Sequence, residues 1–306
     1  MKAERKILRA ALILLLILSA AGCGARPGTE QKETPAAEQK DTPAAEQGWY
    51  REHLSGRDIP AYDAFDEAAG QLFSDKWCVL KADGKRTEEE LHLKEVNAVY
   101  QAYLFDHPQM FWLSTSFAYQ SDAEEAGEED PVIRAVRLIP SVSSQGALEE
   151  EQKLFLKAAD AVLEDIDPGL TDRDKAALVH DYLSENVRYE EAALYDDSLW
   201  EEHSAYGALV KKSAVCDGYA LAYQYLLHRL GIRCVCIAGD SDGMAHVWNT
   251  AQWDGRWHEI DVTWDALLKE TEPGGMREYF DLTSAQMEAD HIREEQGVSV
   301  TAPAAP

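Results

Sequence analysis

A chain of 306 residues with 45% hydrophobic content can bury a sizeable core and hold two domains of ordinary size, or one domain with a long leader. Its formal net charge of −27 repels phosphate backbones and anionic membrane surfaces, which argues against nucleic acid as a partner. If the chain sits at a membrane, something other than charge holds it there.

The first residues supply a candidate for that hold. Lys2, Arg5, Lys6 and Arg9 precede an apolar run over residues 10–21, and Ala20, Ala21 and Gly22 stand before Cys23. A basic start, a short apolar run and small residues make a secretory signal over residues 1–22. The run falls short of the roughly 20 residues a membrane span needs. A cysteine directly after small residues resembles a bacterial lipobox, which implies lipidation at Cys23; the usual leucine three positions earlier is Ala20 here. Residues 23–47 are low in complexity and repeat KETPAAEQ as KDTPAAEQ. With no apolar face to stack, this stretch reads as a disordered tether that gives reach from the membrane.

Residues 48–145 read as a small α+β region. Apolar spacing predicts a helix over 62–73 and a strand over 77–81, then a turn at Asp83-Gly84. A second helix is expected over 87–105, with Thr87 as N-cap and Pro108 beyond its end. Strands follow over 110–119 and 132–139, around an acidic loop. No catalytic constellation stands out; His92 and His107 are single histidines.

Residues 146–295 read as the second domain, and 296–306 as a flexible tail. A long amphipathic helix over 148–166 closes at Asp167-Pro168-Gly169. The next opens with Thr171 as N-cap and Asp174 three residues on, close to a capping box. After a polar connection over 195–203 comes a helix that begins at Cys216, with Ser213 as its expected N-cap and Gly231 at its C-terminal end.

The start of that helix carries chemistry. A thiol in a first turn feels unpaired N–H groups and the positive end of the helix dipole, which favour thiolate. The same groups can stabilise an oxyanion. A lone cysteine is more often a small buried hydrophobe; the following hairpin tips the balance. Trp253-Asp254-Gly255-Arg256 is a two-residue turn signal. With Asp254 and Gly255 as the loop, Thr250 faces Glu259, Trp248 faces Asp261 and His246 faces Thr263. His246 and Asp261 then share one side of the sheet as diagonal neighbours, about 7–8 Å apart at the backbone. Val247, Ala251, Ile260 and Val262 form the other, core-facing side. A carboxylate beside an imidazole fixes its tautomer and stabilises its charged form. The helix bearing Cys216, docked on the His246 side, would complete a Cys–His–Asp arrangement.

Other polar residues divide by position. His258 falls on the side opposite His246. His203 and Tyr206 stand close enough before Cys216 to line its cleft; Tyr206 and Trp248 are the candidate substrate-binding residues. The remaining cysteines, Cys78, Cys234 and Cys236, show no disulfide framework and are expected as free thiols. A zinc site from Cys234, Cys236, His246 and His258 has the right inventory, but it lacks the short paired cysteine spacing and its histidines diverge.

The blocks AVCDGYA, LGIRC, HVWN and WHEIDVTWD, in that order, resemble the transglutaminase-like superfamily within the papain-like cysteine-enzyme fold. DHPQMFWLS, at 106–114, is similar to a stretch upstream of such domains in bacterial surface proteins. The resemblance implies an α+β fold whose central helix packs on an antiparallel sheet. It also implies acyl transfer from a protein or peptide amide, with Cys216 as nucleophile, His246 as base and acid, and Asp261 as its orienter. No metal or organic cofactor is expected. The partners expected are a protein or peptide substrate at the cell surface and the membrane through the lipid anchor. The alternative is an inactive surface module that binds protein or cell-wall peptide.

Overall fold

The computed structural model describes residues 48–82, 85–86, 90–121, 129–271, 277–294 and 302–306. The leader with Cys23, the tether, the Asp83-Gly84 turn, Thr87 and most of the acidic loop lie outside them. Helices α1 (Trp49–His53) and α2 (Ile59–Ala69) come first, then the short strands β1 (Cys78–Val79), β2 (Lys81–Ala82) and β3 (Lys85–Arg86). Helix α3 (Leu93–Asp106) leads into β4 (Leu113–Ser121) and β5 (Ile133–Pro140). Strands β1, β5 and β4 form an antiparallel sheet in that order.

Helix α3 starts later than the apolar spacing predicts. His92 and Glu95 close a capping box, and His92 Nδ1 lies 2.8 Å from the Asp130 carbonyl oxygen. The partner that sets this start is therefore 38 residues away in sequence. At the other end, buried Asp106 accepts from the Tyr50 and Arg51 backbone N–H groups, at 3.0 and 2.9 Å, and from the Tyr62 hydroxyl at 2.9 Å. It thus ties α3 to the start of α1.

The second region opens with α4 (Gln145–Leu163), capped by Ser144, and α5 (Asp172–Asn186), capped by Thr171 as expected. Strand β6 (Arg188–Tyr189) pairs in parallel with β7 (Ser213–Ala214). Ser213 therefore sits in a strand and is not the N-cap of the next helix, α6 (Cys216–Arg229); Val215 holds that position. Gly231, at φ +78°, ends α6 in a left-handed turn, with Ile232 N–H donating to the Leu227 carbonyl at 2.9 Å.

Strands β8 (Cys234–Ser241), β9 (Met244–Trp253) and β10 (Arg256–Ile260) form an antiparallel meander. Asp254 and Gly255 both have positive φ, 52° and 73°, as a two-residue hairpin loop requires. The register follows: Trp253 pairs with Arg256 and Thr250 with Glu259. The strand expected to continue to Thr263 instead ends at Ile260, and α7 (Val262–Thr271) begins. Helix α8 (Ser284–Met287) and β11 (His291–Arg293) complete the domain, β11 adding to β8 so that the sheet runs β10-β9-β8-β11.

Two hydrophobic cores flank this sheet. One joins the N-terminal region to it through Tyr50, Phe65, Tyr103, Ile237 and Trp248. The other joins α4, α5 and α6 to it through Phe155, Leu183, Tyr223, Ala251 and Trp253. The Tyr50 hydroxyl, donating to the Cys236 carbonyl at 2.8 Å, crosses between regions. The molecule is thus an α+β fold with a central helix against an antiparallel sheet. The terminal residues, which composition reads as flexible, include a fastened pair: Ser284 N–H donates to the Ala305 carbonyl at 3.0 Å, and Ala305 N–H to Ser284 Oγ at 2.9 Å. No helix among the described residues is long and apolar enough to cross a membrane.

Candidate active site

Cys216 is the first residue of α6 and is partly exposed, whereas Cys78, Cys234 and Cys236 are buried; all four are free thiols. His246 is the third residue of β9, and Asp261 directly follows β10. The body of α6 meets the sheet through Asn249, which donates to the Ala220 carbonyl at 3.1 Å. Side chains alternate along a strand, so Asn249 and His246 lie on opposite sides of β9. The body of α6 therefore packs on the side of the sheet opposite His246, not on the His246 side as the hairpin pattern suggested, and only its first turn comes near the histidine. There Cys216 lies near enough to His246 for its charge to act on the imidazole.

His246 Nε2 approaches Asp261 Oδ2 at 2.6 Å, with both residues buried. The Asp261 carboxylate is saturated. Its Oδ1 accepts from Thr263 and Trp264 N–H at 2.8 and 3.1 Å, which makes it the cap of α7. Its backbone N–H donates to the Tyr279 carbonyl at 2.8 Å. Ending β10 one residue before Asp261 is thus what turns a strand residue into a helix cap with one oxygen left for histidine. Burial disfavours charge on both partners. On His246, the Asp261 charge and hydrogen bond and the Cys216 contact outweigh it, pushing the imidazole up to about 10. On Asp261, the His246 charge and the bonds from His246 and His291 outweigh it, holding the carboxyl well below the usual carboxylate range.

A second pair stands near the thiol. His203 Nδ1 lies 2.9 Å from Asp217 Oδ2, and His203 Nε2 lies 3.1 Å from the Ala193 carbonyl oxygen. The Asp217 charge raises His203, against burial, to about 10, with smaller help from Cys216. His203 thus sits beside the residue that follows Cys216, held there by Asp217. Tyr189 pairs with Ala214, two residues before Cys216. Burial raises its phenol far above the usual tyrosine value, and negative charge at Cys216, Asp217 and Asp261 adds to that. Its hydroxyl keeps its proton.

The two substrate-binding candidates fall elsewhere. Tyr206 is buried in the helical core, its ring 4.7 Å from Phe111, and the charged groups that act on it are Glu151, Glu201 and Lys211. Trp248 is 1% exposed and donates from Nε1 to buried Glu259 at 2.7 Å. Its ring stacks beside His246 at 6.0 Å, so it is a wall behind the imidazole and not a surface for substrate. Tyr206 was placed by nearness in sequence and Trp248 by the hairpin register; core packing buries both.

His258 turns away, as the hairpin register requires, to Asp281 at 2.7 Å and a stack on Trp253. The set Cys234, Cys236, His246 and His258 is not assembled. The described residues instead gather His246, Asp261 and His291, whose ligand atoms lie within 4.8 Å of one another. His291 has no signal in the sequence: it is a single histidine 30 residues after Asp261, brought back by β11.

Comparison with known proteins adds the lineage of this region. Residues 160–262 match the family model of the transglutaminase-like superfamily. Human kyphoscoliosis peptidase is 25% identical over 113 residues, covering 33% of this chain and 17% of that protein. The mouse protein is 34% identical over 68 residues, covering 18% of this chain and 10% of that protein. The chain therefore spans less than a fifth of the length of these relatives. Among solved structures, the crystal structure of a TGase aligns over 65% of this chain and 57% of its own, at 12% identity and a TM-score of 0.34. The periplasmic domain of TgpA from Pseudomonas aeruginosa aligns over 51% and 66%, at 14% identity and a TM-score of 0.29.

Proposed function

We propose, on the premise that residues 160–262 form a domain of the transglutaminase-like superfamily, that this chain is a cysteine acyl-transfer enzyme acting on protein or peptide amides. The observation that carries the reading is the buried His246–Asp261 hydrogen bond with the Cys216 thiol, at the start of α6, acting on the same imidazole. Cys216 is the nucleophile. His246 holds the proton opposite it, and Asp261 orients the imidazole and stabilises its charge.

The chemistry follows from the charges. Cys216 Sγ bonds to the amide carbonyl carbon, and the negative charge moves to the oxygen. Backbone N–H groups in the first turn of α6 and the protonated Tyr189 hydroxyl are donors for that oxyanion. As the carbon–nitrogen bond breaks, His246 gives its proton to the leaving nitrogen. The resulting thioester is opened by water, giving hydrolysis, or by an amine, giving transamidation.

The leader and Cys23 support an extracytoplasmic enzyme anchored by lipid, with residues 24–47 as its reach. The test is Cys216→Ala in the full chain. We expect an unchanged fold, complete loss of amide turnover on peptide substrates, and loss of the fast-alkylating thiol. Alkylation of Cys216 by iodoacetamide no faster than that of an unstructured thiol would refute the reading and favour an inactive binding module.

A further inference from the structure

Asp261 has a second histidine. His291 Nε2 lies 3.0 Å from Asp261 Oδ2, the same oxygen that His246 approaches at 2.6 Å. The other ring nitrogen, Nδ1, lies 2.7 Å from Asp290 Oδ1. The His291 side chain is fully buried, boxed by Trp248, Trp264 and Tyr279 with ring centroids 5.1, 5.2 and 5.7 Å away. Asp290 Oδ2 in turn accepts from the Tyr279 hydroxyl at 2.7 Å.

The donor count decides the charge. An ionised carboxylate only accepts hydrogen bonds, and a neutral imidazole carries one N–H. Both ring nitrogens of His291 face carboxylate oxygens, so the arrangement is closed when both carry a proton. Charges then alternate along a line: His246 positive, Asp261 negative, His291 positive, Asp290 negative. Around this line the other titratable groups are Cys216 from α6, Tyr189 from β6 and Tyr279 from the segment before α8. The Glu259–Arg293 pair, at 2.6 Å, lies on the neighbouring strand positions.

We infer that His291 is a positioning residue for the active site: a buried imidazolium that shares Asp261 with His246, pins the carboxylate, and loosens its hold on the His246 proton. The inference rests on the acyl-transfer reading for its purpose. In the first half-reaction His246 must release a proton to the leaving nitrogen. In the second it must begin neutral, take a proton from water or an amine as the new bond to the carbonyl carbon forms, and pass it to Sγ as the thioester bond breaks. A cation behind Asp261 favours release in the first and the neutral start in the second. His291 itself exchanges no proton.

The test is nitrogen NMR of histidine-labelled full-length protein. At pH 7 both His291 ring nitrogens are expected at the protonated position; a neutral-tautomer pattern overturns the inference. The second measurement titrates His246 in a Cys216→Ala background, which stands in for the state without thiolate. Two unit charges about 5 Å apart at an effective dielectric near 20 correspond to about 2 pH units. The His246–His291 centroid separation is 5.4 Å. Adding His291→Gln should therefore move the His246 midpoint up by about 1–2 pH units. An unmoved or lowered midpoint overturns the inference. Should that variant fail to fold, His291→Asn removes the same charge with a smaller side chain and is expected to move the midpoint the same way; no movement overturns it equally. The titration reads no turnover. Failure of the acyl-transfer reading would show instead as turnover surviving Cys216→Ala.

Discussion

Asp261→Asn separates charge from shape. The substitution keeps the volume but leaves one carbonyl oxygen where Asp261 has two oxygens serving two histidines and two backbone N–H groups. His246 sits at about 10 against an ordinary 6.5, a difference worth about 5 kcal/mol at 1.36 kcal/mol per unit. Burial works against that charge, so Asp261 and the Cys216 contact supply more than the difference between them. Without the Asp261 charge the buried imidazole is neutral at pH 6–7, and Cys216 loses its cationic partner. We expect alkylation of Cys216 by iodoacetamide at pH 6 to fall by about 100-fold or more, since each tenfold corresponds to about 1.4 kcal/mol. The assay is a rate measurement across pH 4–10, with mass spectrometry reporting the site. Stability has its own signature. His246 is raised, so its contribution is complete below 6.5 and is lost as pH rises through about 10. Asp261 is lowered, so its contribution is complete above 3.8 and is lost as pH falls through its depressed value. The wild type should therefore exceed the variant most between about pH 4 and 6.5. A variant that alkylates within threefold of wild type at pH 6 would refute this reasoning.

His203→Gln removes the second cation beside the thiol; because His203 is partly exposed, solvent screens it, and we expect a loss of only about 3–10-fold in Cys216 alkylation rate at neutral pH, with the melting temperature little changed. Asp106→Ala strips the acceptor from two backbone N–H groups and a buried tyrosine hydroxyl, and urea unfolding should report a loss of about 2–4 kcal/mol. Gly239→Ala would place a Cβ 2.2 Å from the Ile292 carbonyl oxygen and 2.6 Å from the Trp248 ring. It should cost about 1–3 kcal/mol in thermal or urea unfolding, with increased hydrogen exchange in β11; wild-type stability would mean that β11 and Trp248 are not held as described.

The parts of the fold that could be read from the chain are those set by local chemistry. Asp254-Gly255 accepts positive φ, so the hairpin register and the divergence of His246 from His258 were legible. Thr171 and Gly231 mark helix ends through their own side chains or lack of one. The pairing of imidazole and carboxylate was legible because the hairpin register puts His246 and Asp261 on one side of the sheet. Where reading failed, a distant partner had intervened. The start of α3 is set by Asp130, not by Thr87. Tyr206 and Trp248 are near the site in sequence, yet Phe111 and Glu259 hold them in the interior.

The sequence by itself determined the residue types, the turn and the register that bring His246 and Asp261 to one edge, because backbone preference and period-2 alternation act within a few residues. Only the tertiary structure decided what surrounds them. It ended β10 at Ile260, three residues short of Thr263, made Asp261 the cap of α7, brought Cys216 near His246 and returned His291 on β11. The Asp261–His291 contact spans 30 residues, and the His180–Asp265 pair that fastens α5 to α7 spans 85; no local preference encodes either. They form because a buried charge is tolerated only where the whole fold closes enough donors and acceptors around it.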